Sequence, residues 1–151
     1  MKIVLTGSLG HIGKPLAEEL VKKGNSVTVI SSNAGRQKEI EAIGAIPAIG
    51  SIEDVDFLTK TFTGADIVYL MEPPANYFDK TIDAFAHRIR IADAYLKAVP
   101  LAGVTKAVHL SSIGAHTGHG NGMLRIHYEV ENILKELPHT VSLKEIRPVG
   151  F

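Results

Sequence analysis

The chain has no cysteine and no tryptophan among its 151 residues. Without cysteine there is no disulfide, no thiolate nucleophile and no thiolate metal site. Charge of one sign is also missing: 16 Lys and Arg stand against 16 Asp and Glu, a formal net charge of zero at pH 7. Direct binding of nucleic acid, which needs a basic surface, is therefore not expected. No apolar run reaches the length of a bilayer span, so no membrane association is expected. The apolar run Ile3-Val4-Leu5 follows directly on Met1 and Lys2, so no signal peptide is expected and the cytoplasm is the expected compartment.

What is present is an ordinary globular composition, 45% hydrophobic and 21% charged. This length predicts one domain, residues 1–151, with a core of Ile, Val, Leu, Ala and five Phe. Strands are expected at residues 2–6, 27–30, 45–49, 67–71, 106–110 and 140–147. Between them lie amphipathic stretches. The first carries Ile12, Leu16, Leu20 and Val21 and ends at Gly24; a second runs over 37–43, and a third carries Phe57, Leu58 and Phe62. The longest, 78–99, places Ile82, Phe85, Ile89, Ala92 and Leu96 at helical spacing, and 124–137 places Leu124, Tyr128, Glu131 and Leu134 on related faces.

The segment Thr6-Gly7-Ser8-Leu9-Gly10-His11-Ile12-Gly13 joins the first strand to the first helix. A strand, a tight glycine turn and a helix in that order cradle a pyrophosphate. Gly7 would turn the chain, Gly10 would let backbone approach the phosphates, and Gly13 would let the helix pack on the sheet. A glycine-rich turn without a ligand is disfavoured by the position of this one, at the end of the first strand. Alternating strands and helices with right-handed crossovers predict a doubly wound parallel α/β sheet, a Rossmann fold of strand order 3-2-1-4-5-6. One cleft at the carboxyl ends of the strands would collect residues 7–13, 31–36, 50–51, 71–74, 111–112 and 148–151.

Thr6-Gly7-x-x-Gly10-x-x-Gly13 resembles the cofactor loop of the extended and atypical short-chain dehydrogenase/reductases. The likeness continues in Ser111-Ser112-Ile113-Gly114-Ala115 and in Glu145-Ile146-Arg147-Pro148, and overall it is to the NmrA-like, NAD(P)-binding branch. That resemblance implies a quinone-reductase type of oxidoreductase or a redox-sensing regulator. It departs from the family in two ways. The family continues into a smaller C-terminal substrate region, which would begin where this chain stops at Phe151. The expectation is either a piece of a longer protein or a cleft closed by another route. Second, the family's Tyr-x-x-x-Lys pair is missing: counting back from Glu131, which resembles the family's helix glutamate, Met123 and His127 hold its places. Tyr128 is one residue out of register, about 100 degrees around the helix.

The second strand ends Ser31-Ser32-Asn33 with Arg36 and Lys38 beyond, and has no acid to hold the ribose hydroxyls of NAD. Ser32, Asn33 and Arg36 suit a 2′-phosphate, so NADP is favoured, with NAD open and with Arg36 and Lys38 as plain surface bases the alternative. Ser51 stands where the family's adenine-reading Asp would be, or else caps the next helix. Met71-Glu72-Pro73-Pro74 should line the ribose and nicotinamide end, with Pro148 beside it. Ser111 or Ser112 could bond a substrate carbonyl as the superfamily's serine does. His127 could bind the nicotinamide ribose or relay a proton, or be a half-buried helix histidine. His116, His119 and His127 lack a neighbouring carboxylate or cysteine in sequence, and no metal is expected. Two functions stay open: hydride transfer to an electron-poor small molecule such as a quinone, and a non-catalytic NADP(H) sensor acting on a protein partner. A sugar-nucleotide epimerase or dehydratase is a weaker third, opposed by Met123 and His127. The long helix is a candidate homodimer face.

Overall fold

A computed structural model describes residues 1–73 and 83–149; Pro74, the first turn of the expected long helix and the last two residues lie outside the described residues. In chain order the elements are β1 (Lys2–Leu5), α1 (Gly13–Lys22), β2 (Ser26–Ser31), α2 (Gln37–Ala42), β3 (Ile46–Ile49) and α3 (Val55–Phe62). There follow β4 (Ile67–Leu70), α4 (Ala84–Leu101), β5 (Lys106–Leu110), α5 (Arg125–Leu134) and β6 (Ser142–Ile146). The six strands form one sheet, all pairs parallel, in the order β3-β2-β1-β4-β5-β6. This is the Rossmann arrangement expected from the alternation of strand and helix.

Side chains alternate across each strand, so the sheet buries two separate cores. Val4, Val68, Leu70 and Ala107 face α3, α4 and α5, where Phe62, Ile91, Tyr95, Val130 and Leu134 cover them. Ile3, Leu5, Val27, Val29 and Tyr69 face the other way, beneath Ala17 of α1 and Ile40 of α2. Each fully buried Leu, Ile or Phe contributes about 1.5–3 kcal/mol, which is why the strands read as continuous apolar runs. α1 stops at Gly24, at φ +82°, whose amide donates to the Val21 carbonyl at 2.8 Å. No helix among the described residues is long and apolar enough to cross a membrane.

Two helices differ from their sequence patterns. α4 begins at Ala84 because Asp83, in extended conformation, caps it: its Oδ1 accepts from the amides of Phe85 and Ala86, each at 3.0 Å. Its buried face carries Arg88, Ile91, Ala92, Tyr95, Ala98 and Val99, whereas Phe85 is 42% exposed and Ile89 and Leu96 are only half-buried. The inner face was hidden in the sequence because two of its members, Arg88 and Tyr95, are polar. In α5 the buried residues are Ile126, Val130, Glu131 and Leu134; Leu124 is exposed, and the Tyr128 ring lies against Gly118. Replacing Asp83 with Ala should lower the free energy of unfolding by about 1 kcal/mol, measured by urea denaturation.

Candidate functional site

The glycine loop is anchored at both ends. Thr6 is fully buried at the start of the loop; its hydroxyl accepts from the Met71 amide at 2.9 Å and donates to the Met71 carbonyl at 3.3 Å. Gly7 has φ +87°, and a Cβ there would meet the Met71 Sδ at 2.2 Å. Ser8 also has positive φ; its amide donates to the Ile30 carbonyl at 3.1 Å and its hydroxyl to Ser31 Oγ at 3.1 Å. A Cβ on Gly13 would meet the Ser8 carbonyl at 2.1 Å, so this glycine clears the loop's own backbone rather than the sheet. At Gly10 the nearest atom to a Cβ is 4.0 Å away, and the position opens into the cleft. Among the described residues, the amides of residues 10–13 donate to no backbone or side-chain acceptor. They lie at the positive end of α1, and donors in that state suit a phosphate.

The cleft has two chambers whose walls share Gly7 and Pro73. The larger, about 770 Å³, runs from the loop past Met71 and Glu72 to Arg88 on α4, Ser111 and Ser112 after β5, His127 on α5, and Pro148. The smaller, about 340 Å³, is walled by Ser8, Ser32, Ser51 and Glu53, with His87 of α4. Most residues singled out in the sequence therefore line one continuous cleft: Gly7, Ser8, Gly10, His11, Ile12, Gly13, Ser32, Ser51, Met71, Glu72, Pro73, Ser111, Ser112, His127 and Pro148. Leu9, Asn33 and Arg36 lie beside it. The Leu9 side chain is in the core at 5% exposure, and its carbonyl accepts from Arg36 Nη1 at 2.9 Å. Asn33 Oδ1 accepts from the Gly35 amide at 2.8 Å. Ser51 Oγ accepts from the Glu53 amide at 3.2 Å, and the cap of α3 is Asp54, which accepts from the Phe57 amide at 3.0 Å.

Beneath the larger chamber runs a seam of buried charge. Glu131 has no solvent exposure; Ser111 Oγ donates to it at 2.6 Å, Arg147 Nε at 2.7 Å, and Arg147 Nη2 to its second oxygen. Burial pushes the Glu131 carboxyl up, but the hydrogen bonds from Arg147 and Ser111 outweigh it and hold the group below the usual carboxylate range. His109 is also fully buried, with Nδ1 2.5 Å from Glu145 Oε2 and Nε2 3.2 Å from Glu72 Oε2. Burial alone would lower its pKa, yet hydrogen bonds to the two carboxylates and their charges raise it to about 10. His127 shifts the other way, lowered by burial and then by the Arg88 cation, whose Nη1 lies 3.5 Å from His127 Nε2. A neutral His127 facing that donor carries its proton on Nδ1, a buried atom with no hydrogen-bond partner among the described residues.

Arg88 and His109 escaped the sequence reading. The period of two in β5 does put His109 on the face of Ala107, but nothing local says that Glu72 and Glu145 await it there. His116 and His119 sit in the loop before α5, and among the described residues no group of three or more His, Cys, Asp or Glu is placed to hold a metal.

A parallel six-stranded sheet with an open glycine loop after its first strand and a cleft at the strand ends defines a dinucleotide-binding protein. The chain matches the NAD(P)H-binding family over residues 7–141, and it belongs to that family. It is 27% identical over 114 residues to a 4-hydroxy-2-methyl-3-oxo-4-farnesyl-3,4-dihydroquinoline-1-oxide ketoreductase of Stigmatella aurantiaca. That match takes in 74% of this chain and 34% of the relative, so the chain spans about a third of its length. Among solved structures, a Bacillus halodurans protein assigned as an NAD-dependent epimerase/dehydratase superposes with a TM-score of 0.82 at 20% identity, covering 99% of this chain and 70% of that one. The NADPH-dependent quinone oxidoreductase of Escherichia coli, complexed with NADPH, superposes with a TM-score of 0.74 at 20% identity over 96% of this chain and 48% of its own. The two structures share the fold. The open Gly10, the amides of residues 10–13 and the paired chambers fit the nicotinamide dinucleotide that the family binds.

Two outcomes follow from this geometry. Gly13→Ala should weaken NADPH binding by about tenfold or more, measured by fluorescence titration, because the new Cβ must displace the Ser8 carbonyl. The stabilisation from protonated His109 should be complete below pH 6.5, its ordinary pKa, and be lost as pH rises through about 10. The urea midpoint should accordingly fall between those pH values, and in Glu145→Gln the fall should be smaller and end at lower pH.

Proposed function

We propose that this chain is an NAD(P)H-dependent reductase whose larger chamber receives an electron-poor small molecule such as a quinone. The observation that carries the reading is that chamber, which opens from the glycine loop and has Ile12, Met71, Pro73, Leu110, Pro148 and Val149 as apolar walls suited to a flat, apolar acceptor. When bound, the nicotinamide supplies a hydride. The chain's own residues bind and orient. Amides of residues 10–13 hold the pyrophosphate, with His11 and Ile12 shaping the turn between Gly10 and Gly13. Ser32, Asn33 and Arg36 take a 2′-phosphate, Ser51 the adenosine, and Met71, Glu72, Pro73 and His127 the ribose and nicotinamide end. The Ser111 hydroxyl donates its hydrogen bond to Glu131, so toward a substrate it offers lone pairs, and Ser112 and Pro148 complete the wall.

The missing Tyr–Lys pair supports an acceptor that asks little of a donor at that place: Met123 is 73% exposed, and His127 is neutral. The ketoreductase relative and the quinone oxidoreductase neighbour are in keeping with a carbonyl or quinone acceptor. The same missing pair also suits a dinucleotide sensor. NADPH consumption with a panel of quinones separates the two: turnover is expected, and tight NADPH binding with no turnover would make the chain a sensor. Arg36→Ala should weaken NADPH about tenfold and change NADH by less than about twofold, read by titration of both. Equal affinities untouched by the substitution would overturn the preference for NADP.

A further inference from the structure

We propose that Glu72, His109 and Glu145 form a proton store for the larger chamber, in which His109 keeps one proton between the two carboxylates and delivers it through Glu72 to the oxygen of the reduced acceptor. The proposal rests on the reductase reading above. Its basis is the line of groups across three neighbouring strands. Glu145 on β6 has a side chain 17% exposed; His109 on β5 is sealed; Glu72, just past β4, is 2% exposed and forms part of the chamber wall. The contacts are 2.5 Å and 3.2 Å, close enough for a proton to cross each. Glu72 Oε2 holds His109, while Glu72 Oε1 is buried with no partner among the described residues.

A purely structural role explains this cluster poorly. The His109 imidazolium stands between the buried Glu72 carboxylate and the partly exposed Glu145 carboxylate, and Glu72 keeps one buried oxygen with no partner among the described residues, which a tie between strands does not need. The groups around the cluster do not compete for the proton. Tyr69 of β4 is pushed up to about 12 by burial and the Glu72 charge, and burial likewise raises Tyr95 of α4 well above the usual phenol range, so both phenols keep theirs. Arg88 of α4 and Arg147, just past β6, are permanent cations, Glu131 of α5 is held ionised by Arg147 and Ser111, and His127 is neutral.

The chemistry balances. Two-electron reduction of a quinone or ketone adds one hydride and one proton, and the nicotinamide cofactor is oxidised as it gives the hydride. The proton leaves His109 Nε2 for Glu72, and the Glu72 O–H then breaks as the O–H of the product forms. His109 is left neutral, with its Nδ1 proton still held by Glu145. When the product departs, a proton from solvent returns through Glu72 to Nε2. The store thus serves one turnover while cofactor and acceptor cover the chamber.

The test compares two acceptors with NADPH and the full chain: menadione, which needs a proton, and the cationic triphenylmethane dye crystal violet, whose central carbon takes hydride and needs none. In Glu72→Gln the ratio of menadione to dye turnover should fall about 100-fold, and Glu72→Asp should restore most of it. In Glu145→Gln, which keeps the store but loosens it, the alkaline limit of menadione reduction should move down by about one pH unit or more, with no such move for the dye. Histidine ¹⁵N NMR of the chain without ligands should show both His109 nitrogens protonated at pH 8. An unchanged ratio in Glu72→Gln, an equal loss with both acceptors, or a neutral His109 at pH 8 would overturn the store and leave the reductase reading standing. A wild-type chain that turns over neither acceptor would overturn the reductase reading, and the store with it.

Discussion

Glu131 is a carboxylate with no access to water, and much of the cleft depends on how its charge is met. Removing such an ion from solvent costs several kcal/mol, which only close, multiple hydrogen bonds can offset. Ser111 from the end of β5 and the forked guanidinium of Arg147 beyond β6 supply them. Three elements are thereby held together at one point. The register of α5 is set there, and with it the place of His127; the end of β5 is set too, and with it Ser111 and Ser112 on the chamber wall. His109 repeats the device one step along the sheet, tying β5 to β6 through Glu145 and to the end of β4 through Glu72.

The opposite wall depends on Met71. Its backbone is held by the Thr6 hydroxyl and by the Tyr95 phenol, which donates to the Met71 carbonyl at 2.7 Å. Its side chain occupies the space that any Cβ at position 7 would need. Each hydrogen bond contributes only about 1 kcal/mol net. Their joint effect is geometric: loop, strand end and α4 move as a unit, so the mouth of the phosphate cradle and the floor of the larger chamber keep one spacing. Gly7 and Pro73, shared by both chambers, lie at that junction.

The sheet and its order were legible because a strand buried on both faces must be apolar at nearly every position, a pattern that survives without knowledge of neighbours. The glycine loop was legible because positive φ and close approach admit few residues. Helix faces were less so. Of the stripe Phe85, Ile89, Ala92 and Leu96 only Ala92 is fully buried, and the inner face of α4 also carries Arg88 and Tyr95, whose polar atoms find partners inside. Asp83 and Asp54 as caps were readable in principle, from an acid just ahead of an apolar run, but each competes with equally plausible neighbours such as Ser51.

What the sequence determined by itself was local or periodic: the alternation of elements, the turn that only glycine can make, the absence of an acid after β2, the lack of a Tyr–Lys pair on α5. What only the tertiary structure decided was which distant charges meet. His109 lies 37 positions from Glu72 and 36 from Glu145, and Glu131 lies 20 from Ser111 and 16 from Arg147. No short-range preference encodes those pairs. They exist because parallel strands bring residues far apart in the chain to one end of the sheet, where low dielectric makes each buried charge select its partner.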